Sequence, residues 1–165
     1  MPSKSRAKNP LDVHDRALGL LAVRPRSRRE LEQRLRQAGF DAEEVAGELS
    51  RLEDVGLVDD EDFARRLAEH ELTNRRSGDR VVVSRLISKG VDRGTIDRVV
   101  AETAKTSEDD RAIDLARERA RRLGGLAPER AFGRLVSFLQ RRGFGPGLAR
   151  RAASVALGLE TLEAD

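Results

Sequence analysis

Arg34-Leu35-Arg36-Gln37-Ala38-Gly39-Phe40 has two counterparts further along the chain: Arg85-Leu86-Ile87-Ser88-Lys89-Gly90-Val91 and Phe138-Leu139-Gln140-Arg141-Arg142-Gly143-Phe144. The glycines stand 51 and then 53 residues apart, a near-constant period that predicts stacked copies of one unit. Four residues before each glycine is Leu35, Leu86 or Leu139; eight before is Leu31, Val82 or Leu135. A step of four keeps such pairs on one helix face. An apolar residue follows each glycine, which predicts a helix closed by a left-handed cap and its hydrophobic contact. Six residues beyond, Val45, Ile96 and Ala149 open another helix.

Each unit also has a preceding helix. Residues 14–23, 60–76 and 108–123 carry apolar side chains at helical spacing, and the second and third of these stretches read as longer. Ser27 with Glu30 forms a capping box, and Asp41 with Glu44 resembles one. Asp59, Ser77 and Ser107 are the expected caps elsewhere. Pro128 suits a first helical turn, and Pro25 a connection. Val81-Val82-Val83 is too short for a strand and sits inside a helical pattern. The predicted fold is all-α: three tandem three-helix repeats, about nine helices, in an elongated, curved array. The units span 13–57, 58–105 and 106–159, between a disordered basic arm (1–12) and a frayed tail (160–165).

Composition agrees. Charged residues are 37% of the chain, well above the usual quarter, which suits a thin helical shape better than a compact ball. With no cysteine, a disulfide scaffold, a thiolate metal site and a thiol nucleophile are excluded. No apolar run approaches 18 residues, and the first ten residues lack the apolar stretch of a secretory signal. A soluble, cytoplasmic, monomeric protein is the expectation.

Residues that suggest chemistry have plainer explanations. Asp59-Asp60-Glu61-Asp62 marks a helix start, where carboxylates offset the helix dipole, rather than a Mg²⁺ site. Gly143-Phe144-Gly145-Pro146-Gly147 follows a helix and contains a proline without an N–H, so it reads as a turn and not a phosphate cradle. His14 and His70 are far apart and lack the spacing of zinc ligands. No catalytic residue, metal or cofactor is predicted. Phe40, Phe63, Phe138 and Phe144 fall at core-type positions, leaving few platforms for base stacking.

Arginine is the remaining signal. Of 32 basic residues only four are lysine, and arginine makes bidentate contacts to carboxylates and phosphates that lysine cannot. The clusters recur near predicted helix ends, and the candidate partner-binding residues are Arg24, Arg28, Arg75, Arg76, Arg80, Arg141 and Arg142. Residues 13–58 carry eight basic and nine acidic groups, residues 59–105 ten of each, and residues 106–165 eleven and nine. A dedicated duplex binder shows a basic excess. Balanced charge suits a protein partner with its own mixed surface, with the N-terminal arm and third unit making modest nucleic-acid contacts. A sequence-independent DNA-binding array of helix-turn-helix-like units is the alternative.

Three stretches carry a family resemblance. Asp15-Arg16-Ala17-Leu18-Gly19-Leu20-Leu21-Ala22-Val23-Arg24, with Ser27, Glu30-Leu31 and Leu35, resembles the opening unit of RecX proteins. Gly56-Leu57-Val58-Asp59-Asp60, Phe63-Ala64, Gly78, Leu86 and Lys89-Gly90-Val91 resemble the central unit, and residues 138–144 the closing one. One departure is Leu72, six residues before Gly78, where the family carries an arginine; Arg75 and Arg76 follow instead. The resemblance implies a non-enzymatic regulator of the RecA recombinase. Such a protein binds along the groove of the RecA–single-stranded DNA filament and restrains its growth, ATP hydrolysis and strand exchange.

Overall fold

The computed structural model describes residues 12–159, so the expected basic arm and frayed tail fall outside the described residues except for Asp12. Asp12 is ordered in its role: its carboxylate accepts from the Asp15 N–H at 2.8 Å and caps the first helix. The helices pack in threes. The first group is α1 (Val13–Val23), α2 (Arg28–Gln37) and α3 (Ala42–Asp54); the second is α4 (Asp60–Glu69), α5 (Asp79–Ser88) and α6 (Arg93–Thr103). The third is α7 (Glu108–Arg121), α8 (Pro128–Arg141) and α9 (Pro146–Leu157). No strand occurs among the described residues.

Each group closes around its own core. Leu31, Leu35, Leu49 and Leu52 fill the first, Ala68, Val82, Leu86 and Ile96 the second, and Ala116, Leu139, Phe144 and Ala149 the third. A fully buried leucine contributes about 1.5–3 kcal/mol, so the three leucines of the repeated stretch hold their units together. The glycine caps form as expected. The N–H after each glycine donates back to that leucine: Phe40 to Leu35 O at 3.3 Å, Val91 to Leu86 O at 3.2 Å, Phe144 to Leu139 O at 3.2 Å. Gly90 and Gly143 take φ of 80° and 94°, a region that side chains rarely enter.

Side chains of Ser27, Asp41, Asp59, Asp92 and Ser107 cap α2, α3, α4, α6 and α7. Ser77 does not cap α5. Its hydroxyl donates to the buried Glu71 carboxylate at 2.9 Å, and Gly78 takes the cap position without a side-chain bond. Nor does the first helix of the second unit run on to Arg76. It widens into a single π-helical turn, His70–Asn74, that turns Glu71 and Leu72 into the interior. Leu72 is thus a core residue. Arg76 beyond it has φ 49°, the one positive φ of a non-glycine residue among those described.

Neighbouring units meet at two joints of the same design. At the first, the Ser27 hydroxyl donates to Lys89 O at 2.6 Å, and the Arg28 N–H donates to Asp60 at 2.7 Å. At the second, the Gly78 N–H donates to Arg142 O at 2.8 Å, and the Asp79 N–H donates to Glu108 at 3.0 Å. In both, the start of a unit's middle helix seats against the glycine turn of the next unit. The acid opening that next unit caps it. A Cβ on Gly90 would run into the Arg29 side chain, and one on Gly143 would lie 2.5 Å from Val81 Cγ2. The capping glycines therefore serve as seats as well as helix ends.

The third unit departs from this pattern in one respect. α2 and α5 start eleven residues before their capping glycine, whereas α8 starts fifteen before, at Pro128. The added turn has its own small core of Leu123, Ala131, Leu135 and Ala153.

Candidate partner-binding surface

The seven arginines singled out from sequence separate by joint. At the first joint, Arg24 and the buried Arg26 both donate to the Glu30 carboxylate, and Lys89 of the second unit reaches it at 3.2 Å. Burial tends to raise the Glu30 carboxyl, but hydrogen bonds from Arg24 and Lys89 outweigh it and hold the group below the ordinary carboxylate range. Arg28 pairs with Glu53 at 2.9 Å. Beside it Asp60 is pushed up by burial, and the Arg28 N–H offsets only part of that. The Arg24 and Arg28 guanidiniums thus pair within the first unit, while the Arg28 N–H and Lys89 make the contacts that cross the joint.

The remaining five lie around the second joint. Arg76 pairs with Glu118 on α7, and this bond and charge hold the Glu118 carboxyl low. Arg75 lies 3.8 Å from Glu71 and is half-exposed. Glu71 itself is fully buried and also takes Arg85 at 2.6 Å, so it anchors the segment that presents Arg75 and Arg76. Arg80 runs beside Gly145 and lines a groove with Arg85, Gln140 and Phe144.

Arg141 and Arg142 sit on the other side of the glycine turn. Arg142 projects into a notch of about 200 Å³ lined by Arg76, Glu118, Arg119, Arg122 and Phe138. Its Nε is buried without a hydrogen-bond partner among the described residues. The notch adjoins a groove of about 640 Å³, which shares Arg119 and Phe138 with it and is otherwise lined by Arg130, Gly133, Arg134, Ser137 and Arg141. Arg130, Arg134 and Arg141 are exposed and pair with no carboxylate among the described residues.

Phe138 is not the core residue its position suggested. It lies at the core's edge, half-buried, with the Arg119 and Arg142 guanidiniums 5.3 and 5.7 Å from its ring centre. Of the four phenylalanines placed at core-type positions only Phe144 is buried.

Counting charge by unit missed this groove. From residue 119 to residue 159 the chain carries nine arginines and one acid, Glu129. The other acids of residues 106–165 stand mainly at the start of α7 and beyond residue 159, so a balance drawn over that whole stretch conceals the segregation. A running charge count would have exposed it.

Elsewhere the surface is quieter. Asp59 accepts from the Glu61 and Asp62 N–H groups, as a helix start requires. Residues 143–147 form the α8–α9 turn, with Pro146 in the first turn of α9. His14 Nδ1 lies 2.6 Å from the buried Glu48, and His70 Nδ1 lies 3.2 Å from Asn74. The described residues hold no metal-sized group of three His, Cys, Asp or Glu, and no helix long and apolar enough to cross a membrane.

Fold and joints together define the class: an all-α protein of tandem three-helix modules. Family models place it within that class. RecX, first three-helix domain, matches residues 14–52, and RecX, third three-helix domain, matches residues 107–153. The chain belongs to the RecX family. It is 37% identical to the regulatory protein RecX of Mycolicibacterium smegmatis, across 97% of this chain and 89% of that protein. It is 34% identical to the RecX of Streptomyces coelicolor, across 94% and 86%. The crystal structure of RecX from Lactobacillus salivarius shares the fold with a TM-score of 0.75 at 20% identity, over 89% of this chain and 95% of that one.

Proposed function

We propose that this protein regulates RecA by binding along the RecA–single-stranded DNA filament, restraining its growth, ATP hydrolysis and strand exchange without bond chemistry of its own. Membership of the RecX family carries the reading. The serial units fit it physically. An extended chain of modules touches more than one subunit of a helical polymer, and linked weak contacts add through effective concentration. Arginine is among the residues enriched where protein interfaces concentrate their energy. The second joint supplies Arg75, Arg80 and Arg141 as exposed arginines on both sides of one seam. DNA in the filament adds contacts through the same residues. The site of action is the bacterial cytoplasm, where RecA filaments form, and the protein acts there as a monomer.

The test is a titration into RecA on single-stranded DNA with ATP turnover as the readout. The rate falls as the protein approaches RecA in amount. A flat rate across the titration, with filament length unchanged, overturns the reading. Reversing Arg75, Arg80 and Arg141 together to Glu weakens the inhibition at least several-fold while far-ultraviolet circular dichroism stays unchanged, since none of the three is buried.

A further inference from the structure

The groove around Phe138 gathers more positive charge than the protein's own carboxylates answer. We propose that it is a binding track for the sugar–phosphate backbone of a single nucleic-acid strand. Along α8, Arg130, Arg134 and Arg141 stand on one face at steps of four and seven residues. At 1.5 Å per residue the first two are about 6 Å apart along the axis and the third about 10 Å further, the scale of successive phosphates on an extended strand. At the end of this row lies the notch, where Arg142 with its unpartnered Nε faces Arg119 and Arg122 of its own unit and Arg76 of the unit before. The notch has one carboxylate, Glu118, and it already accepts from Arg76 and Arg122. A phosphate presents the paired oxygens that a guanidinium fork fits.

Two further observations select the occupant. The guanidiniums of Arg119 and Arg142 are held against the Phe138 ring, which fixes planar cations where a base can stack. An acidic protein segment needs an apolar centre to exclude water, and this groove offers a single half-buried phenylalanine. One row of guanidiniums suits one strand, since a duplex carries two phosphate rows a groove width apart. The proposal rests on the reading above only for the strand's biological source; the binding is a property of the groove and needs no recombinase.

The experiment measures fluorescence anisotropy of a labelled oligothymidylate titrated with the full chain at several salt concentrations. Arg130→Gln, Arg134→Gln and Arg141→Gln together lower affinity about tenfold or more at low salt. They also flatten the plot of log affinity against log salt by about 2, the release expected from three single-strand phosphates. A control with Arg16→Gln, Arg34→Gln and Arg36→Gln removes the same charge from the first unit and keeps affinity within about twofold. None of the six side chains makes an ion pair among the described residues, so both variants keep wild-type helicity. Equal losses in the two variants overturn the proposal, as does absence of wild-type binding. Equal or tighter binding of a duplex overturns the single-strand assignment. Polyglutamate competing as well as unlabelled oligothymidylate assigns the groove to acidic protein instead. RecA is absent from this assay, so its failure and a failed ATPase titration are distinguishable.

Discussion

Gly78 has an ordinary backbone, φ −70° and ψ 154°, that alanine adopts without strain. A Cβ there would nevertheless overlap the Gly143 carbonyl and the Phe144 nitrogen across the second joint. Gly78→Ala therefore separates two units without disturbing either. Helicity stays at the wild-type level while small-angle scattering shows a larger, more variable radius of gyration. Gly143→Ala does more harm, because it adds the strain of a positive φ to the collision with Val81; about 1–3 kcal/mol is lost in urea denaturation from the backbone strain alone. Gly90→Ala loses less than Gly143→Ala, since its neighbour across the joint is the flexible Arg29 side chain. Glu30 gives the first joint a pH dependence. Its carboxyl is held low when folded, so its stabilisation is complete above the ordinary carboxylate range. It fades as pH falls through that range and through the depressed folded value. Glu30→Gln lowers stability at neutral pH and flattens the acid limb of a melting-temperature profile between those two values.

At the scale of elements, the helices were legible because their signals are local. Leu35, Leu86 and Leu139 with their glycines announced three helix ends, and Ser27, Asp41, Asp59 and Ser107 announced four starts. Ser77 looked the same in sequence and behaves otherwise, because the acceptor that wins its hydroxyl is Glu71, six residues back and buried by a π turn no periodicity predicts. Glu71→Ala leaves Ser77 without that acceptor and frees Arg85. We expect a loss of about 1–3 kcal/mol by chemical denaturation, with faster amide exchange confined to the segment carrying Arg75 and Arg76. The joints were invisible for a related reason. Ser27 meets Lys89 and Gly78 meets Arg142 across long loops of chain, and nothing in either residue names its partner.

For the whole molecule, the near balance of charge over residues 106–165 hid a polarised arrangement. The acids collect at helix starts, where orphan N–H groups attract them, and the third unit's arginines are left together on α7 and α8. Of the candidate residues, Arg76, Arg141 and Arg142 share that surface, while Arg24 and Arg28 lie at the first joint and pair with Glu30 and Glu53. Growth of the series is also decided here. At both joints a middle helix begins where the next unit's glycine turn receives it, whereas α8 begins four residues sooner, at Pro128. The geometry of the two joints is therefore not repeated at the start of α8, which argues against a second copy docking there in the same way. Sedimentation velocity should return one protomer mass at all attainable concentrations, and a concentration-dependent series of larger species would contradict that. On the proposed filament reading the protein acts as a gauge of set length, its reach fixed by three seated units and two joints.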